Sequence, residues 1–91
     1  MIKASATTGA DPISVALQAL AVTISDERRA TRLLDLSGLT PEDLKSRAAD
    51  PALLAAVLRF LESHEPDLLD VADALGCKPE ALIAAREALE Q

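Results

Sequence analysis

Tryptophan and tyrosine are absent from this 91-residue chain, and phenylalanine occurs once, as Phe60. Single-stranded nucleic acid therefore finds no aromatic platform on which its bases could stack. Cysteine also occurs once, as Cys77, so no disulfide can close within the chain and a reducing, cytoplasmic compartment is the simpler expectation. Three glycines leave little scope for a phosphate-cradling loop, and neither a Gly-x-Ser-x-Gly elbow nor a paired-cysteine motif is written here. The most apolar stretch, residues 13–24, falls short of the roughly 20 residues that span a bilayer and is broken by Ser14, Gln18 and Thr23. No signal peptide is expected, because residues 1–10 lack a continuous apolar core; they read instead as a flexible tail.

What is present favours helix. Half of the chain is apolar, dominated by Leu and Ala with few β-branched residues, a composition that suits helices and starves strands. Ninety-one residues make a single domain, expected over residues 11–91, with one core. Fifteen acidic against nine basic side chains give a net charge of −6, which repels nucleic-acid backbones and anionic membrane surfaces at long range.

One phrase occurs twice: Gly38-Leu-Thr-Pro41-Glu42-Asp-Leu44, and thirty-eight residues later Gly76-Cys-Lys-Pro79-Glu80-Ala-Leu82. In each copy a Gly ends one helix and a Pro opens the next. Further starts stand at Asp11-Pro12, Ser25-Asp26-Glu27, Asp50-Pro51 and Glu65-Pro66, so six short helices are expected. Asp11-Pro12 aligns with Asp50-Pro51 and Glu27 with Glu65. Residues 11–49 and 50–90 thus read either as two related three-helix units or as independent helices sharing the same punctuation. The fold expected is all-α, a compact bundle with a core of Leu17, Leu20, Leu33, Leu34, Leu44, Val57, Leu58, Phe60, Leu61, Leu68, Val71, Leu75 and Leu82. Along the first helix the apolar stripe is read as Ile13, Leu17, Leu20 and Ile24.

The second copy resembles a helix-turn-helix, with Val71, Ala72, Leu75, Gly76, Cys77 and Leu82 at its apolar, small and turn positions. The first copy fits less well, because Leu34 is bulky and Ser37 polar where the motif wants small and apolar residues. A DNA reader would then need Arg, Lys, Asn or Gln on the second helix of the corner. Residues 79–91 offer Glu80, Glu87 and Glu90 against Arg86, so DNA binding is disfavoured and the corner reads as a packing device.

Candidate chemical groups are few. His64 would need a catalytic partner from elsewhere in the fold, since Ser63 and Glu65 beside it point in other directions; a surface imidazole ending the fourth helix is the plainer reading. Cys77 aligns with Leu39 and reads as a small hydrophobe, not a reactive thiol. Glu62, Glu65, Asp67, Asp70 and Asp73 surround His64 in sequence without matching a Ca²⁺ loop or a zinc set, and read as a solvated face. No catalytic residue, metal ligand or cofactor is therefore expected. Charge placement is the remaining signal: Arg28, Arg29 and Arg32 on the second helix stand opposite in sign to Asp67, Asp70 and Asp73 on the fifth. If the units are related by a two-fold, these six make a basic and an acidic patch suited to a protein partner or to head-to-tail self-association; otherwise they pair within the molecule or stay solvated.

The runs Leu36-Ser-Gly-Leu-Thr-Pro-Glu-Asp-Leu44, Ala49-Asp-Pro-Ala-Leu-Leu-Ala-Ala-Val-Leu-Arg-Phe-Leu61 and Leu75 through Ala88 resemble a group of short alphaproteobacterial proteins classed only as a domain of unknown function. The similarity covers residues 12–90. It implies an intracellular, all-helical bacterial protein and supplies no catalytic or binding residues. The function expected is a non-enzymatic protein-interaction or regulatory module, with a degenerate helix-turn-helix protein as the alternative.

Overall fold

Helix starts in this protein are set by residues that satisfy the free N–H groups of the first turn. The structure is a computed structural model that describes residues 11–91, so the flexible tail expected over residues 1–10 lies outside the described residues. The first helix, α1 (Pro12–Ser25), is capped by Asp11, whose carboxylate accepts from the Ser14 N–H at 3.3 Å. Asp26 opens α2 (Glu27–Ser37) by accepting from the Arg28 and Arg29 N–H groups at 2.9 and 3.1 Å. The bond from Arg29 is the main reason its carboxyl lies below the usual carboxylate range.

Thr40 and Asp43 form a reciprocal capping box at α3 (Pro41–Ser46): the Thr40 hydroxyl accepts from the Asp43 N–H at 3.1 Å, and the Asp43 carboxylate accepts from the Thr40 N–H at 3.0 Å. Asp50 caps α4 (Pro51–Ser63) through the Ala52 N–H at 2.9 Å, and its bond from Arg47 chiefly holds its carboxyl low. The last two, α5 (Glu65–Leu75) and α6 (Pro79–Leu89), have no side-chain cap and rely on a proline in the first turn. Six helices and no strand are present among the described residues.

Both copies of the repeated phrase turn the chain in the same way. Gly38 and Gly76 adopt the left-handed conformation at φ 77° and 71°, which lets the N–H of each cap bond back to the helix it ends. A Cβ at either glycine would meet nothing within 4 Å, so only backbone strain opposes a side chain there. Gly76→Ala is expected to cost about 1–2 kcal/mol, the ordinary penalty for a left-handed L-residue, read as a lowered midpoint in urea with an unchanged slope. The packing of the two corners differs: α6 lies against α1 and α4, whereas the six-residue α3 buries no residue and stays peripheral.

The core is built around α1 and α4. Leu53, Leu54, Ala55, Val57, Leu58, Phe60 and Leu61 of α4 are all buried, and α4 packs on α1, α2, α5 and α6. Of the expected core, Leu20, Leu33, Val57, Leu58, Phe60, Leu61, Leu68, Val71 and Leu82 are buried. Leu17, Leu44 and Leu75 are half-buried against it, and Leu34 is half-buried without joining the cluster.

The expected stripe on α1 needs correction. Its buried face is Ala16, Ala19, Leu20 and Thr23, while Ile24 is 44% exposed. Ser14, Gln18 and Ser25 share one side of α1 and are exposed, so the buried face is the side opposite that polar stripe; its small residues let the backbone approach α6 and α4 closely. Thr23 is tolerated at 0% exposure because its hydroxyl donates to the Ala19 carbonyl at 2.7 Å.

Candidate functional site

Four of the six charged residues singled out in the sequence are joined within the molecule. Arg32 of α2 forms an ion pair with Asp67 of α5, and Arg29 reaches Asp70 at 3.6 Å. Arg29 also donates from Nη2 to the Val22 carbonyl at 3.5 Å, while its buried Nε has no partner. The patches on opposite sides of the molecule therefore do not form: side chains from α2 meet those of α5, the intramolecular pairing that the sequence left open. Arg28 and Asp73 are exposed and belong to no ion pair among the described residues.

A second network clamps α4 to the end of α6. Arg86 donates from Nε and Nη2 to the two carboxylate oxygens of Glu62, at 2.6 and 3.2 Å, and from Nη1 to Glu90 at 2.9 Å. These bonds, the one to Glu62 foremost, raise the Arg86 pKa further above its ordinary value. Arg59 bonds the other oxygen of Glu90, and that bond first, then the one from Arg86, holds the Glu90 carboxyl low. Sequence reading missed this clamp. Arg86 and Glu90 stand at a local i,i+4 spacing, but their partners Glu62 and Arg59 lie 24 and 31 residues away, and no local spacing advertises those.

The acidic run around His64 is thereby dispersed, with Glu62 on Arg86, Asp67 on Arg32 and Asp70 on Arg29. No group of three or more His, Cys, Asp or Glu able to hold a metal ion occurs among the described residues. His64 itself is the joint between α4 and α5, half-buried, with its ring 4.9 Å from that of Phe60. Its Nδ1 lies 3.1 Å from the Phe60 carbonyl oxygen. A carbonyl only accepts, so Nδ1 carries the hydrogen, and in the neutral ring Nε2 is the free acceptor. Cys77 is half-buried against the core, as is its counterpart Leu39. Burial pushes its thiol pKa up, away from the thiolate that reactivity requires.

The helix-turn-helix-like corner, α5 to α6, presents little positive charge. Arg86 is committed to Glu62 and Glu90, and the outward residues of α6 include Glu80 and Glu87. Lys78 is exposed at its start.

One concavity has the character of a binding surface. A shallow groove of about 450 Å³ runs between the end of α2 and the outer side of α4. Leu36, Ala56 and Phe60 give it an apolar base, and Leu36 is 64% exposed. Arg59 and His64 stand among the polar residues of its lining, which contains no carboxylate. The sequence did carry a signal for it: Ala30, Leu33 and Leu34 face the core side of α2, and Leu36 lies off that stripe, where an apolar residue has no core to enter. A second, flatter concavity of about 430 Å³ lies over Arg28 and Arg32, with Glu27 at its edge. No helix among the described residues is long and apolar enough to cross a membrane.

Residues 9–91 match the model of a family described as "Protein of unknown function (DUF3572)". No curated protein and no solved structure matches the chain.

Proposed function

The chain belongs to the DUF3572 family of proteins of unknown function, and from that premise we propose that it is a non-enzymatic module for protein–protein interaction or regulation. The observation that carries this reading is the groove between α2 and α4, where Leu36 is 64% exposed beside Phe60 and Ala56. An apolar side chain left in water at the lip of a concavity gains roughly 1.5–3 kcal/mol when a partner buries it. A shallow trough with an apolar base and a polar lining suits a side chain presented by another protein better than an enclosed substrate. The lone thiol supports a reducing, cytoplasmic setting.

The alternative, a helix-turn-helix DNA reader, is argued against by charge. The exposed carboxylates of α5 and α6 would meet phosphates where cations are needed, and the guanidinium of α6 is already bonded to two carboxylates. The test is affinity capture from the source cell with the wild-type chain and with Leu36→Lys. A partner retained by the first and lost by the second supports the reading. An unchanged partner list, or saturable binding of mixed duplex DNA at low salt with a steep salt slope, overturns it.

A further inference from the structure

Besides Leu36 and Ile24, Leu69 is a large apolar side chain left in water among the described residues, 48% exposed near the middle of α5. Glu65 and Asp73 stand four residues before and after it, on the same side of the helix. Both are exposed and neither belongs to an ion pair among the described residues, in contrast to Asp67 and Asp70 on the edge that faces α2. The outer side of α5 is therefore an apolar knob between two free carboxylates.

The groove between α2 and α4 has the complementary character. Its base is apolar and its lining carries Arg59 and His64 without a carboxylate. Arg59 uses Nε on Glu90 and is 63% exposed, which leaves its two terminal NH₂ groups for a further carboxylate. Arg86, Arg32, Arg29 and Arg47 are held by carboxylates as well; of the exposed cations in no ion pair among the described residues, Arg28, Lys45 and Lys78, none lines this groove, and the concavity at Arg28 has no apolar residue in its lining. In a chain of net charge −6, an apolar trough with an available guanidinium is the surface an acidic apolar knob would select.

We infer that the occupant of the groove is a second copy of this chain, which inserts Leu69 between Leu36 and Phe60 and sets Glu65 or Asp73 against Arg59. The inference rests on the interaction reading above and names its partner. His64 and Glu65 are neighbours in sequence, so groove and knob meet at the joint between α4 and α5. A reciprocal dimer, in which each copy supplies knob and groove at once, closes without forming a chain of copies. The contact is small and opposed by net like charge, so the association is expected to be weak, with dissociation at tens to hundreds of micromolar.

Sedimentation velocity of the full chain from 10 µM to 1 mM tests this. The wild type should shift from monomer toward dimer across that range. Leu36→Lys and Leu69→Lys should each weaken the dimer at least tenfold while the far-ultraviolet circular dichroism and melting temperature stay unchanged, both sites being exposed. Arg59→Glu alone should weaken it similarly, and mixing Arg59→Glu chains with chains carrying Glu65→Lys and Asp73→Lys should restore association between unlike copies. A chain that stays monomeric at 1 mM overturns the inference, as does dimerisation unaffected by either lysine. If the chain is monomeric yet a different protein is captured through Leu36, only the identity of the occupant is wrong. If neither occurs, the interaction reading fails as well.

Discussion

Leu58→Ala is expected to lower the free energy of unfolding by about 3 kcal/mol, within the range of roughly 2–5 kcal/mol seen when a buried leucine is truncated. Leu58 is 0% exposed on α4, the helix that touches α1, α2, α5 and α6. A cavity there borders several elements at once and cannot be closed by the shift of one. For a domain of this length total stability is about 5–14 kcal/mol, so the loss is a large share of it. Each kilocalorie should move the melting temperature by about 4–8 °C, giving a fall of roughly 12–24 °C. Ile24→Ala supplies the control, because it removes apolar atoms from a residue 44% exposed at the end of α1. Its cost should stay below about 1 kcal/mol. Thermal unfolding followed by circular dichroism separates the two, and equal losses would mean that α1 presents the other face to the core.

That comparison also marks where sequence reasoning succeeds and where it stops. Helix boundaries were legible because capping chemistry is local: Asp11, Asp26, Thr40 and Asp50 bond N–H groups two or three residues ahead, and Gly38 and Gly76 turn left-handed after the last turn. The buried face of α4 was legible because its large side chains occupy one side. On α1 the large side chains mislead: Ile13, Leu17 and Ile24 mark a side rotated away from the buried one, whereas the polar stripe Ser14, Gln18 and Ser25 stands opposite Ala16, Ala19, Leu20 and Thr23 and was the signal to follow. The pairing of the charged residues was not legible for a related reason. Arg29 and Arg32 read as a basic set of open fate until the fold brings Asp67 and Asp70 to them across 35 and 41 positions, and Leu36, outside the expected core, stays 64% exposed.

Arg32→Met should cost about 2–3 kcal/mol, whereas Asp67→Leu at the other end of the same pair should cost less than about 1. The asymmetry follows from burial: the Asp67 side chain is 9% exposed and that of Arg32 is 44% exposed. Removing the guanidinium strands a carboxylate in the protein interior, for which breaking a fully buried pair costs roughly 3–5 kcal/mol. Water reaches the Arg32 side, and Asp67 lies in the first turn of α5, where the helix dipole favours negative charge by about 0.3–1 kcal/mol. Both reduce the loss below that range. Removing Asp67 instead leaves a guanidinium that solvent can hydrate, and leucine adds apolar contact beside Leu68 and Val71 of the same helix. The double variant, Arg32→Met with Asp67→Leu, should therefore fall within about 1 kcal/mol of wild type or exceed it, because replacing a desolvated pair by packed hydrocarbon is often neutral or better. Urea unfolding of the four proteins at pH 7 completes the cycle, repeated in 0.5 M salt, where an exposed pair would be screened and this one should change little. A double variant as unstable as Arg32→Met would show that α2 is held to α5 by the fit of the arginine stem and not by its charge.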